Sequence, residues 1–503
     1  MKRFFVLSRI SQFFFLALFL FLFIITDYRG QDEINVAVNS FFRSDPLVLA
    51  SYLLAVRSFT WLLLPALLVA GFTVLLGRFF CGWICPLGTL LDIVTAGIPK
   101  SGPIRFLKGR FKYYLLFTLL VMALFSVNVS GILDPTAILV RALTFFFYPF
   151  LGLTARSGWS GLYILAGDGR DHILFLHDFL CAYILPFRET LYPLAFVSVA
   201  LILFIFVIER FEKRNWCKNI CPLGTLLGLL GHFSLFRRIP GRICSDCGDC
   251  RKHCPTAFDE EVLQSGNCMR CMNCRAACNF QRVSFRLRLP SFSMTGTEKR
   301  PVLSRRVFLG SIVSGVILAK AFSFRKPQMQ DRLLRPPGVI DEYIFLEKCV
   351  RCGECMKVCL RSALYPDFSL GGVTGIFMPI MIPRLGYCEY NCTLCGQVCP
   401  TGAIPRLPPN EKKKSIIGTA VIDRNLCLPY AKKLNCLVCE EHCPIPEKAI
   451  RFELITDIDY QGKSVTLKKP HVIEELCTGC GICENKCPLE GRSAIEVFSR
   501  NKR

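Results

Sequence analysis

The fold class this sequence predicts is an α-helical membrane unit followed by small α+β domains held together by cysteine ligation. Three observations predict it. Four apolar runs lie in the first two-thirds of the chain, each nearly long enough to cross a bilayer. One cysteine-proline motif occurs twice at equivalent places. Of the 29 cysteines, 24 fall into six groups of four.

The runs are FFFLALFLFLFII (13–25), WLLLPALLVAGFTVLLG (61–77), YYLLFTLLVMALFSV (113–127) and YPLAFVSVALILFIFVI (192–208). With flanking residues each approaches the roughly 20 residues of a spanning helix. A removable signal peptide would explain only the first, so four spans are expected. Basic residues set their orientation. Arg78, Lys100, Arg105, Lys108, Arg110 and Lys112 follow the second run; Arg210, Lys213, Arg214, Lys218, Arg237, Arg238 and Arg242 follow the fourth. The loops 27–57 and 131–189 are poorer in such residues, which puts both ends of the unit in the cytoplasm. The formal charge of +23 therefore reflects helix flanks and cysteine groups. Membrane lipid is the expected partner and nucleic acid is not, because no separate basic stripe with interleaved aromatics exists.

The unit is written twice. SDPLVLASYLLAVRSF (44–59), an apolar run and CGWICPLGTLLD (81–92) form one copy; LDPTAILVRALTFF (133–146), a run and CKNICPLGTLLG (217–228) form the other. Each copy is expected as an entering helix, an Asp-Pro turn, an outer amphipathic stretch and a returning helix that ends in Cys-x3-Cys-Pro at the cytoplasmic face. Two crossings per copy relate the halves by an axis along the membrane normal. Spacing of four puts Cys81 with Cys85, and Cys217 with Cys221, on one helical face. Three uses fit: a redox-active disulfide pair, a four-thiolate metal site, or packing and capping at a turn. Recurrence at one depth favours redox or metal. Cys181, alone in an outer loop, reads as a buried apolar residue.

The quartets come next. Two precede residue 300: Cys244, Cys247, Cys250 and Cys254, then Cys268, Cys271, Cys274 and Cys278. Four lie beyond it: Cys349, Cys352, Cys355 and Cys359; Cys388, Cys392, Cys395 and Cys399; Cys427, Cys436, Cys439 and Cys443; and Cys477, Cys480, Cys483 and Cys487. C-x2-C-x2-C-x3-C-P is the ligand run of bacterial [4Fe–4S] ferredoxins, so six such clusters are expected. Disulfide geometry disfavours cysteines three apart in triplets, and zinc has no use for the third cysteine. The second and third outer motifs carry longer first spacers, and Leu360 replaces the usual proline after Cys359. Because the fourth cysteine ligates the partner cluster, the inner sets are Cys244, Cys247, Cys250 with Cys278, and Cys268, Cys271, Cys274 with Cys254. By analogy with other four-cluster subunits, the outer motifs are expected to nest, first with fourth and second with third. No haem, flavin or nucleotide signature is present: there is no C-x-x-C-H, no glycine-rich fingerprint and no P-loop, and the six histidines avoid the apolar runs.

The duplicated CxxxCPLGTL unit with two ferredoxin motifs resembles the NapH family and its MauN relatives. RPPGVIDEYIFLEKCVRCGECMKVC (335–359) and PRLGYCEYNCTLCGQVCPTGAI (383–404) resemble the NapG/MauM family, as in a natural fusion of the two. The resemblance implies a quinol dehydrogenase component of an electron-transfer chain. It would draw on the quinone pool and feed a periplasmic oxidoreductase or cytochrome, as in nitrate-reductase systems. The membrane unit is also similar to nitrous-oxide-reductase regulators and a copper-handling assembly protein. Redox sensing, cofactor maturation and quinone reduction from a cytoplasmic ferredoxin are therefore the alternatives. LSRRVFLGSIVSGVILAKAF (303–322) resembles a twin-arginine signal, which implies the matching export machinery. It is expected either to export a folded C-terminal domain or to stay as a fifth span, with Ala319-Lys320-Ala321 a candidate processing site. The domains are then 1–236 (membrane unit), 237–300 (cytoplasmic, two clusters), 301–323 (signal or anchor) and 324–503 (four clusters, periplasmic), in a bacterial inner membrane. The quinol site is undefined; Asp45 and Asp134 are candidate proton acceptors, with helix capping the plainer role. Inner and outer clusters would face each other across about 30 Å of hydrocarbon, with only the CxxxCP pairs between them.

Overall fold

In a computed structural model, the structure describes residues 3–30, 32–34, 36–98, 111–165, 170–240, 249–256, 266, 268–278, 283–287, 305–324, 332–367, 370, 375–458 and 464–500. The N-terminal unit opens with α1 (Arg3–Ile25). Copy one continues with α2 (Asn39–Arg43), α3 (Pro46–Val56), α4 (Leu64–Leu76), α5 (Phe79–Trp83) and α6 (Pro86–Val94). Copy two has α7 (Phe111–Leu124), α8 (Ser130–Leu133) and α9 (Pro135–Ala142), which runs through a π turn into α10 (Tyr148–Leu165). It then has α11 (Arg170–Tyr183), α12 (Ala195–Ile208), α13 (Asn215–Asn219) and α14 (Pro222–Leu230). The duplication thus recurs helix for helix, with α10 and α11 added to the second copy.

The copies are not simple two-crossing hairpins. Among the described residues only Phe5–Ile25 and Pro135–Gly161 are both long and apolar enough to cross a membrane. Asp45, Cys85, Asp134 and Cys221 each precede a proline, which drives them to extended ψ of 114–130° and starts a new helix there. Each of these four residues also caps its helix with its own side chain. Asp45 Oδ1 accepts from the Leu47 amide at 2.7 Å, and Asp134 Oδ1 from Ala137 at 2.8 Å. The cysteines do the same through sulfur. The short helices meet crosswise, α6 on α9 and α14 on α3.

Beyond the unit, β1 (Phe236–Pro240) pairs antiparallel with β2 (Val283–Leu287), and α15 (Asp249–Lys252) and α16 (Asn273–Ala276) lie between them in sequence. Next comes α17 (Arg305–Phe324), a continuous helix against α7. Phe308 meets Phe117 edge-on at 5.6 Å, the Ser314 and Tyr114 hydroxyls bond, and Ala319 sits with Met122 and Val127 in one core. From Gly310 against Tyr114, through Gly315 against Thr118 and Val121, to Ala319 in the core with Met122, the contacts advance along both helices, so the two run parallel. Ala319-Lys320-Ala321 lies inside this helix with Ala319 buried, so cleavage there would require unwinding it.

The C-terminal part alternates one-turn helices with two-stranded sheets, the α+β pattern expected. In order these are α18 (Glu342–Lys348), α19 (Glu354–Lys357), β3 (Leu364–Pro366), β4 (Pro379–Met381), α20 (Leu394–Val398), α21 (Pro409–Lys414) and β5 (Thr419–Ile422). After them come α22 (Leu428–Ala431), α23 (Val438–Glu441), β6 (Ile450–Ile458), β7 (Ser464–Val472), α24 (Ile482–Lys486) and β8 (Ile495–Phe498). Strands pair β3–β4, β6–β7 and, across the whole second half, β5–β8.

Candidate metal centres

Where the loop is described, each ferredoxin motif leads tightly into a one-turn helix. Arg351 and Gly353, Arg270 and Met272, and Gly479 and Gly481 take positive φ, which curls backbone amides around the cysteines. Amides of Ala363, Ile404, Ala420 and Ala494 donate to the sulfurs of Cys359, Cys399, Cys477 and Cys487 at 3.1–3.4 Å. Burial pushes the Cys392, Cys439 and Cys480 thiols up to about 12, so loading iron there must displace protons. Thiol-only donors, curled amides and burial all fit iron–sulfur ligation.

Among the described residues, the fourth cysteine of five motifs leaves its own triplet. Cys399 faces Cys349, Cys352 and Cys355, while Cys359 faces Cys388, Cys392 and Cys395. Cys487 lies with Cys427 and, through it, Cys436 and Cys439; Cys443 lies with Cys477, Cys480 and Cys483. The nested order is therefore corrected: the outer motifs pair first with second and third with fourth. Packing explains it, since α19 rests on α20 and α23 on α24. In the inner domain Cys254 faces Cys268, Cys271 and Cys274. Cys250 and Cys278 are described, whereas Cys244 and Cys247 lie outside the described residues.

Cys81, Cys85, Cys217 and Cys221 are all buried and unbridged, and the structure brings them together from both copies. Two arginines that sequence reasoning treated only as topogenic charges complete the group. Arg78 donates through Nε to Cys81 Sγ at 3.3 Å and through Nη2 to the Cys217 carbonyl at 2.8 Å. Arg214 reciprocates, donating to the Cys81 carbonyl, and is held by Asp92 at 2.8 Å. The signal was available: each arginine stands three residues before the first cysteine of its copy. Cys181 departs from expectation, half-buried with its sulfur 3.4 Å from His177 Nε2.

Asp45 and Asp134 also meet, with interacting carboxylates. Their role on view is helix capping, though each keeps a buried Oδ2 without a hydrogen-bond partner among the described residues.

Ferredoxin loops close this core at both ends. Met269, next to Cys268, lies against Gly82, and Trp83 Nε1 donates to the Arg270 carbonyl at 3.0 Å. At the other end Val350, next to Cys349, lies against Gly131. Arg141 donates to the carbonyls of Arg351 (2.9 Å), Gly131 (2.7 Å) and Ile132 (2.8 Å). Met269, the four buried cysteines, Val350 and Cys352 share one continuous apolar core.

Family models described as "4Fe-4S binding domain" match residues 58–112 and 191–242, and another of the same description matches 470–490. The first two segments each contain one CxxxCP pair. The methylamine utilization ferredoxin-type protein MauM of Methylorubrum extorquens is 36% identical over 171 residues, 34% of this chain and 74% of that protein. The ferredoxin-type protein NapG of Escherichia coli is 33% identical over 206 residues, 40% of this chain and 87% of NapG. The ferredoxin-type protein NapH of Haemophilus influenzae is 28% identical over 299 residues, 55% of this chain and 87% of NapH. No solved structure matches. Likeness at this level over most of MauM and NapG means that the chain belongs to their family of ferredoxin-type iron–sulfur electron-transfer proteins, and it carries a NapH-like likeness in the same polypeptide.

Proposed function

We propose that the chain is a membrane-embedded electron conduit that oxidises quinol and delivers electrons to a periplasmic reductase or cytochrome. One observation carries this: the inner loop at Met269 and the outer loop at Val350 seat at opposite ends of a single buried core. Four spans, α1, α4, α7 and α12, would hold that core, with α17 as a fifth. Exposed apolar side chains such as Phe13, Leu68, Phe204 and Ile317 suit lipid. Parallel pairing of α17 with α7 takes the chain from the inner motifs to the outer ones, which supports two quartets in the cytoplasm and four in the periplasm.

All 24 motif cysteines, Cys244 and Cys247 included, would hold six [4Fe–4S] clusters, which supply one-electron carriage when bound. Quinol oxidation releases two electrons and two protons. A narrow cleft lined by Asp27, Tyr148, Tyr192, Lys357 and Cys359 gathers polar groups beside an outer cluster ligand, and would have to widen to admit a quinol head. This is a better-placed candidate than Asp45 and Asp134, whose carboxylates cap helices in the core. Adding a quinol to the anaerobically purified full chain should produce the electron paramagnetic resonance signals of reduced clusters. Clusters that stay oxidised would remove the dehydrogenase reading. A C-terminal fusion to an enzyme active only outside the cytoplasm should be active, and an inactive fusion would overturn the topology.

A further inference from the structure

We propose that Asp45 and Asp134 share one proton where the two copies meet, and that the pair takes up a second when an electron reaches the outer iron–sulfur centre of Cys349, Cys352, Cys355 and Cys399. The inference does not depend on quinol as the electron source.

Unpaired oxygens are the first reason. Both side chains are 0% exposed. Each uses Oδ1 to cap its helix: Asp45 accepts from the Leu47 and Val48 amides, Asp134 from that of Ala137. Each Oδ2 is buried with no hydrogen-bond partner among the described residues. The two carboxylates nevertheless stand within hydrogen-bond reach of one another. Two acceptors cannot bond without a hydrogen. One proton between them turns two orphaned oxygens into a single charge-assisted O–H···O⁻ bond, and it belongs to the pair rather than to either residue.

Charge is the second. Arg141 is 1% exposed, and its guanidinium bonds only carbonyls, those of Gly131, Ile132 and Arg351. It acts on Asp134 through space. With one proton shared, the carboxylates carry a single negative charge, which balances the single positive charge of Arg141. With none, a buried negative charge is left over. The other charged side chains on elements packed against α3 and α9 are Arg43 of α2, Asp92 of α6, Lys112 of α7, and Glu342, Glu347 and Lys348 of α18. None of them hydrogen-bonds either carboxylate.

Capping alone does not explain the pair. Asn caps a helix as well as Asp does, and an Asn at either position would offer the other's Oδ2 a donor. Both copies instead carry a carboxylate at the one place where their equivalent turns meet.

Position is the third reason. Asp134 lies within electrostatic reach of Cys85 in the buried cysteine group, and Arg141 within reach of both Asp134 and Cys352 of the first outer motif. The pair therefore stands between the two. An electron arriving at the outer centre adds one negative charge where the dielectric is low and the field is felt strongly. One proton drawn from water onto the ionised member leaves two neutral carboxyls and restores the charge sum. When the electron moves on, the proton returns to water. One electron and one proton enter and leave together, and no other bond is made or broken.

The test is infrared spectroscopy and redox titration of the full-length protein with a chemical one-electron reductant. In the oxidised protein, Asp45→Asn and Asp134→Asn, which keep both caps, should each remove the same protonated-carboxyl band, one that shifts in heavy water. If neither variant removes such a band, no proton is shared. In wild type the midpoint potential of one iron–sulfur component should fall as pH rises, by at most about 59 mV per pH unit, the value for one proton per electron. The double variant Asp45→Asn/Asp134→Asn should flatten that slope. A wild-type potential independent of pH, or a slope unchanged in the double variant, would overturn the coupling. If the variants do not accumulate, the wild type decides: reduction must add a protonated-carboxyl signal, and its absence sinks the proposal.

Discussion

At the scale of single residues, the crossed arginines make the sharpest demand on sequence. Gly224 faces the Arg78 guanidinium more closely than Gly88 faces that of Arg214. Gly224→Ala should therefore displace Arg78 from the Cys217 carbonyl and destabilise the unit by about 1–3 kcal/mol, the cost of leaving buried groups unpaired. Gly88→Ala should cost less. Thermal unfolding of the two variants in detergent checks the order. These arginines were visible in the sequence but carried an adequate explanation already, as charges that orient spans. Their second use emerges only when the copies pack. The cysteine ligands were legible because C-x2-C-x2-C constrains one local loop. Which loop pairs with which depends on the seating of α19 on α20 and α23 on α24, and no local spacing encodes that.

Among the elements, α17 shows how a seam becomes structure. Ser311, Gly315 and Ala319 recur every four residues on one face, and Gly315 lies against α7. A side chain there would begin 2.7 Å from Val121. Gly315→Leu should separate α17 from α7 and cost about 1–3 kcal/mol by overpacking. The expected readout is faster proteolysis between the inner and outer domains with iron content unchanged. The apolar runs were legible as membrane-seeking segments. The short helices between those runs, such as α3, α6 and α14, were not, because a hydropathy window averages over Asp-Pro and Cys-Pro. As stereochemistry, the same dipeptides mark the breaks: proline forces its predecessor out of helix, and that aspartate or cysteine then caps the next helix.

For the whole molecule, docking of the C-terminal part rests on a spread of polar ties, among them Lys357 to the Phe23 and Thr26 carbonyls, Asn39 to the Val398 carbonyl and Tyr192 to the Met356 carbonyl. Arg141, buried beneath the outer loop, holds three carbonyls and lies over the Phe377 ring at 4.7 Å. Arg141→Ala should loosen the C-terminal domain from the membrane unit. Hydrogen exchange should rise at 349–353 and 128–133 while the inner domain is unaffected. The cysteine quartets then stand at the two ends of one sealed apolar core, and that separation is electrical as well as mechanical. In the proposed topology, an electron passed from end to end would move through part of the transmembrane field, where a full crossing is worth about 2.3 kcal/mol per 100 mV. Its traffic would charge or discharge the membrane directly, so the protein's turnover should respond to the membrane potential even when no proton is exchanged.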